Sequence, residues 1–369
     1  MSEVLETLKE EDKEKLESVG FSPDAQERAG SFILLDNTEA YSSSFEEGVS
    51  YYPLHVAVKE LPWVKELMWK LVDPERDEYT KLAYKAEPRG YLIHVQKGKK
   101  VSMPLQACFF IKTTRLSQVV HNLIVIDEDA SLHVINGCAA AAYVNAGRHI
   151  GITEIYVRKN AFLSYTMIHD WAEEVEVRPR TSILVEEGGT FISNYITIKK
   201  SKITQSYPEA RLIGKGATAK FASLVFAPPR SIYDLGARIY LDAKGTKGEI
   251  ISRSISGGGK VFARGHLIGN AKGIKAHMEC DGLLLSKDGS IIAVPELEAN
   301  EPEVEMSHEA AVGKIAEEEI NYLMARGFSE EEAKALIIKG FLDTKILGLP
   351  EKLQREVDKT ISLLDTGSL

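Results

Sequence analysis

The residues with the most chemistry in this chain are three thiols, Cys108, Cys138 and Cys280. None belongs to a CxxC pair, so no local zinc knuckle or thioredoxin-type site is encoded. A metal held through cysteine must therefore draw its ligands from distant segments or from two subunits. Cys280 lies in Ala276-His277-Met278-Glu279-Cys280-Asp281, a strand-like stretch in which residues three apart point to opposite faces, so His277 and Cys280 form no local chelate. Taken singly, Cys280 reads as a buried structural thiol, as does Cys138 in Asn136-Gly137-Cys138. His308-Glu309 is expected to open a helical module, with Glu309 as a first-turn carboxylate favoured by the helix dipole. The Gly-Lys pairs at Gly98, Gly214, Gly259 and Gly313 are followed by Lys, Gly, Val and Ile, so the hydroxyl that holds magnesium in a phosphate loop is missing. This chain is not expected to hydrolyse nucleotide by itself. Gly257-Gly258-Gly259 reads as a turn.

What must position these groups is a repeat. Ile124–Ala130, Ile155–Ala161, Ile183–Gly189, Arg211–Ala217, Ile239–Gly245 and Leu267–Gly273 each contain a short apolar stretch, a polar turn and a small residue. The closing small residues are spaced by 31, 28, 28, 28 and 28. Leu132, Leu163 and Phe191 follow their markers by two, which is strand alternation resumed after a turn. Such a unit cannot bury its apolar face alone, whereas stacked copies bury one continuous core. The expected fold is mainly β: a parallel β-helix over 90–305, with an N-terminal helical and mixed α/β region over 1–89 and a C-terminal helical module over 306–369. The alternative is a β-sandwich, whose sequence period need not be constant. Cys138 and His169 both stand eight places after their markers and should stack on adjacent coils; Cys280, seven places after the last, falls near the same column. Five coils separate the two cysteines by roughly 24 Å, so within one chain they cannot ligate one metal, though they can be two ends of one interior path. The three extra residues in the first step leave the register of Cys138 open by one position, which would change its face.

The flanks differ. Leu61–Trp69 is helical in pattern, with Pro62 suited to a first turn. Ile315, Ile320, Leu323 and Met324 form an apolar stripe that ends at Arg326-Gly327, and Ser329-Glu330-Glu331-Glu332 is a capping box for the next helix, ending at Gly340. A third amphipathic stretch spans about Pro350 to Leu364. Over 369 residues, 44% are hydrophobic and 27% charged, as in ordinary globular chains. Lys and Arg number 45 against 54 Asp and Glu, a net charge of −9, with no dense basic face for nucleic acid. Met1–Glu14 lacks the layout of a signal peptide and no apolar run is long enough to span a bilayer. With three unpaired cysteines, a cytoplasmic, reducing location is expected, with neither nucleic acid nor membrane as a partner.

These residues resemble the SufB/SufD family, which scaffolds iron-sulfur cluster assembly. The likeness covers most of 90–345. It is carried by His149-Ile150-Gly151-Ile152-Thr153-Glu154 through Ser164–Trp171, by Ile251–Gly257, by Glu279-Cys280-Asp281-Gly282-Leu283-Leu284-Leu285, and by Ser307-His308-Glu309-Ala310 with Tyr322–Gly327. It implies a right-handed parallel β-helix followed by a helical module that docks on the ATPase SufC. SufB-like chains carry a cysteine matched by Cys280 and a glutamate matched by Glu309, where SufD-like chains usually have glycine. The resemblance implies Cys280 and Glu309 as cluster ligands, with His308 matching the histidine that SufD contributes from across the pair. It further implies Cys138 as acceptor of sulfur from a desulfurase or other donor, and Trp171 on the path inward. His169 stands where bacterial SufB has glutamine, two more polar path positions are replaced by Phe110 and Glu187, and the additional N-terminal cysteines of bacterial SufB are lacking. The expected function is a SufB-like scaffold, not itself an enzyme, that builds a transient iron-sulfur cluster at a subunit interface with SufC and a second copy of itself or a SufD paralogue. Reduced flavin fits the family but follows from no residue. The alternative function is a SufD-like subunit that binds SufC without building clusters. A carbohydrate-active β-helix would need several carboxylates grouped on one face, which the sequence does not supply.

Overall fold

The computed structural model describes residues 1–197 and 200–342; the amphipathic stretch from Pro350 to Leu364 lies outside these. Two long sheets face each other along the molecule, one of ten strands and one of eleven, and nearly all neighbouring strands are parallel. The chain passes from one sheet to the other and back, making a parallel β-solenoid. Along the ten-stranded sheet lie Leu105–Ile111, Ser131–Ala140, Phe162–Asp170, Thr190–Thr197, Thr218–Ala227, Lys247–Ser256, Ile274–Leu284 and Val304–Lys314. Their inward side chains, such as Leu132, Leu163, Phe191 and Met278, fill one continuous core between the sheets.

The repeat has a simple backbone cause. Gly98, Asp129, Asn160, Gly188, Gly216, Gly245 and Gly273 all have φ between 55° and 76°. This column of left-handed turns is open only to glycine and, at modest cost, to Asp and Asn. The small-residue marker follows the left-handed residue in the first four copies and is that residue in the last two. The true spacing from 216 to 245 is consequently 29, one more than the marker count. The three extra residues of the first step also find their place. Ala139 pairs with Asp170, 31 positions on, but Ala146 pairs with Glu174, 28 on, so the insertion lies in the connection after Cys138 and leaves that residue's register intact.

The domain boundaries need two corrections. Gly30–Leu35 pairs in parallel with Leu105–Ile111 and is already a rung of the solenoid, while Thr38–Ser44 and Val49–Pro53 add antiparallel strands that close this end. At the other end, Val304–Lys314 is the last solenoid strand among the described residues, and the first helix after it is Glu317–Met324. His308 and Glu309 are thus strand residues. The glutamate-rich segment that follows, not the preceding stretch, supplies the first-turn carboxylates Glu317, Glu318 and Glu319. Pro62 opens the helix Pro62–Leu67 as expected, and the capping box of Glu330–Phe341 is formed by reciprocal bonds between Ser329 and Glu332.

One buried charge ties the N-terminal region to the solenoid. The Glu154 carboxylate, 0% exposed, accepts from the backbone N–H groups of Trp69 (2.6 Å), Lys70 (2.8 Å), Leu71 (2.7 Å) and Val72 (3.3 Å), and meets His121 Nε2 at 2.8 Å. Burial alone would push its pKa up, but His121 and the amides outweigh that and hold it below the ordinary glutamate value. Trp69 itself takes φ 58° to aim these amides at the carboxylate.

Candidate functional site

Cys138 and His169 are direct register partners on adjacent coils. Both lie on the inward face and are almost fully buried. Asn136 Nδ2 donates to Cys138 Sγ at 3.2 Å, and burial pushes the thiol well up, so it is protonated at neutral pH. Burial drives His169 down to about 3, leaving a neutral ring beside the thiol. His169 Nδ1 lies 3.0 Å from Tyr195 Oη. Trp171, also buried, packs 5.7 Å from the His169 ring and 5.0 Å from His149, and its Nε1 finds no acceptor among the described residues. His149 in turn meets Gln118 Oε1 at 2.8 Å.

His149, Gln118 and Tyr195 were assigned no role on sequence. Tyr195 could have been found from the period, because it sits two positions before Thr197, the register partner of His169. Of the replaced path positions, Glu187 is a surface turn residue paired with Lys159 at 3.2 Å and does not reach the interior.

Cys280 lies five strand spacings from Cys138, roughly 24 Å. The cysteine column runs through Cys138, His169, Thr197, Val225, Ser254 and Gly282, so Cys280 stands two places short of it on the same inward face. Its own column includes Ser252 and Tyr195. The thiol is 2% exposed and is pushed up to about 11 by burial and by the charges of Asp281 and Glu279.

Among the described residues Val304–Lys314 pairs only with Ile274–Leu284, and Ser290–Ala299 only with Lys260–Gly269, so each offers an edge that no described strand covers. Met278, Glu279 and Cys280 face His308, Glu309 and Ala310 across the ladder. Alternation then puts His308 on the same inward face as Cys280, and Glu309 with Glu279 and Asp281 on the outward face. On that outer face Arg253 reaches Glu279 at 3.2 Å and the Phe341 carbonyl at 3.2 Å, joining the helix Glu330–Phe341 to the Cys280 strand. Burial and the neighbouring Glu279 and Glu309 charges raise the Asp281 carboxyl. Among the described residues no three His, Cys, Asp or Glu side chains gather into a metal-holding group.

The fold and site define a parallel β-solenoid scaffold that encloses a thiol–histidine pair and carries a second thiol one strand from the end of the described ladder. Residues 109–341 match the family described as "SUF system FeS cluster assembly, SufBD core domain". The chain is 48% identical to an iron-sulfur cluster assembly SufBD family protein of Archaeoglobus fulgidus, over 97% of this chain and 96% of that one. It is 42% identical to one of Methanothermobacter thermautotrophicus, over 95% and 87%, and 34% identical to one of Staphylococcus aureus, over 88% and 70%. It belongs to the SufBD family of iron-sulfur cluster assembly proteins. No helix among the described residues is long and apolar enough to cross a membrane.

Proposed function

We propose that this chain is a SufB-type scaffold, with Cys280, Glu309 and His308 as the donors that collect iron and sulfide at the open end of the solenoid. The observation that carries this reading is the register there: a buried thiol and an edge-strand histidine share one face, and the glutamate stands on the neighbouring face of the same free edge. One copy presents the set divided between two faces, so a second copy across a two-fold axis completes it. Such an isologous contact also covers the two free strand edges and the exposed Ile292, Leu297 and Val312. Thiolate suits iron-sulfur clusters, and a carboxylate is a labile ligand that favours release of the product.

Sulfur accepted at Cys138 as a persulfide would be reduced there by two electrons and two protons, a role for reduced flavin, which restores the Cys138 thiol beside neutral His169 and releases hydrogen sulfide to move along the inward face past Tyr195 to Cys280. Anaerobic reconstitution with iron and sulfide, followed by light scattering with a SufC-type ATPase, tests the reading. A brown two-plus-two complex is expected. A chain that stays colourless, or pairs only with an added paralogue, moves the assignment to the SufD-like alternative.

The ATPase would dock on the terminal helices. Of the apolar residues on the helix Glu330–Phe341, Ile338 is only 7% exposed and belongs to the main core, and Phe341 packs against it. The available apolar surface is instead Tyr322, Met324, Phe328 and Leu336, each more than 40% exposed. Tyr322→Glu with Leu336→Glu should abolish co-purification with the ATPase while leaving the circular dichroism unchanged; retained binding would place the docking surface elsewhere.

A further inference from the structure

A chain of buried polar side chains crosses the core and ends on the sulfur of Cys138. Asn136, Tyr91, Tyr165, Thr153 and Asn122 are each no more than 5% exposed. Asn136 and Cys138 stand two apart on Ser131–Ala140 and share its inward face. Tyr165 comes from Phe162–Asp170 in the same sheet, whereas Tyr91, Asn122 and Thr153 come from Tyr91–Val95, Ser117–Ile126 and Ala146–Val157 in the opposite one.

The bonds run in one direction. At the far end the Tyr91 backbone N–H donates to Asn122 Oδ1 at 3.4 Å, which turns Asn122 Nδ2 to Thr153 Oγ1 at 3.3 Å. Thr153 is hydrogen-bonded to Tyr165, and Tyr165 Oη lies 3.3 Å from Tyr91 Oη. The Tyr91 hydroxyl donates its one proton to Asn136 Oδ1 at 3.1 Å, so Tyr165 must donate to Tyr91 and Thr153 to Tyr165. Asn136 Nδ2 then donates to Cys138 Sγ at 3.2 Å. Bonds aligned head to tail in a core of low dielectric reinforce one another, so the whole chain is polarised toward the sulfur. A neutral thiol is a weak acceptor and draws little from it, but a sulfur bearing negative charge draws a charge-assisted bond. Burial favours the neutral thiol here, so the anionic form is the one that lacks support.

We infer that Asn136 is a catalytic residue in the transfer of sulfur to Cys138, stabilising the negative charge that develops on the Cys138 sulfur as it attacks a persulfide donor, with Tyr91 and Tyr165 as positioning residues behind it. The inference rests on the reading of Cys138 as the sulfur acceptor. The donor is a persulfide, R–S–SH. As the Cys138 sulfur attacks the outer sulfur of the donor, its proton leaves through the neutral ring of His169, its register partner. The donor S–S bond breaks, and the departing R–S sulfur keeps the bonding pair and takes that proton. The products are Cys138–S–SH and R–SH, so no outside electron or proton is needed and no net charge enters the core. The Asn136 amide is in place before the charge appears, and its bond from Tyr91 keeps it from turning.

Sodium disulfide, whose protonated form HS–SH is a small persulfide, is the probe, and each cysteine falls in its own tryptic peptide. The native chain should gain one sulfur on Cys138, read by mass spectrometry after alkylation in denaturant. Asn136→Leu, which keeps the volume, should slow that gain about tenfold to a hundredfold, the worth of a hydrogen bond to a charged group. Cys280, read in the same digests, should gain sulfur at its native rate. Leucine also strands the Tyr91 hydroxyl, so a double variant with Tyr91→Phe removes that hydroxyl as well. It should recover stability in urea and remain as slow as Asn136→Leu; recovery of the native rate would reduce Asn136 to a partner for Tyr91 and overturn the inference. Native rates in Asn136→Leu overturn it too, as does equal slowing at Cys138 and Cys280. If Asn136→Leu fails to fold, Tyr91→Phe alone decides: a loss of about threefold or more at Cys138 is expected, and the native rate overturns the inference. A native chain that takes no sulfur on Cys138 removes the acceptor reading, and this inference with it.

Discussion

Cys280→Ser is expected to leave the chain folded and to remove most of the charge-transfer absorbance after anaerobic reconstitution with iron and sulfide. The thiolate is the soft ligand of the proposed set, and serine replaces it with a hard oxygen that binds iron-sulfur clusters poorly. The structural cost is limited. A buried hydroxyl without a partner costs about 1–3 kcal/mol, and Ser252, directly across the ladder, offers it one. Because the native thiol is pushed up to about 11, iron must displace its proton at neutral pH. Iron retention should therefore rise with pH, by up to about tenfold per unit for one thiolate. Iron and sulfide contents in Cys280→Ser equal to those of the native chain would remove Cys280 from the site.

Glu154→Ala should produce the largest loss of stability among single surface-to-core contacts of the N-terminal region. It leaves His121, 3% exposed, without its carboxylate and strands the amides of residues 69–72. Breaking a buried pair from one side typically costs about 3–5 kcal/mol. Urea unfolding followed by tryptophan fluorescence measures it, with Trp69 reporting directly on the loop. A loss below about 1 kcal/mol would show that the loop finds water or another acceptor.

The pH dependence has a definite sign. A glutamate whose folded pKa lies below its unfolded one contributes stability that is complete above the ordinary value near 4.5 and lost as pH falls through the lowered value. His149 and His169, both held down to about 3, act earlier. The unfolded chain takes up their protons below about 6.5 and the folded chain does not, so stability already declines from there. Glu154→Ala should flatten only the lower of these two limbs.

Several features were decided by the sequence on its own, because they depend on local chemistry. Left-handed turns need Gly, Asn or Asp, so residues 98 to 273 carry a visible period, and stacking follows from it. The pairing of Cys138 with His169 came from the same count, and Ser329 with Glu332 from hydrogen bonds between residues three apart. The family likeness lay in contiguous motifs for the same reason. What only the tertiary structure decided was every property that turns on a single residue of register or on a remote partner. Residues 304–314 are a strand because the preceding coil offers them a paired edge, which no local pattern reveals. One step of register separates Cys280 from Glu309 and places them on opposite faces, since side chains alternate along a strand. Glu154 is an anchor because a loop more than 80 residues away brings its amides to it.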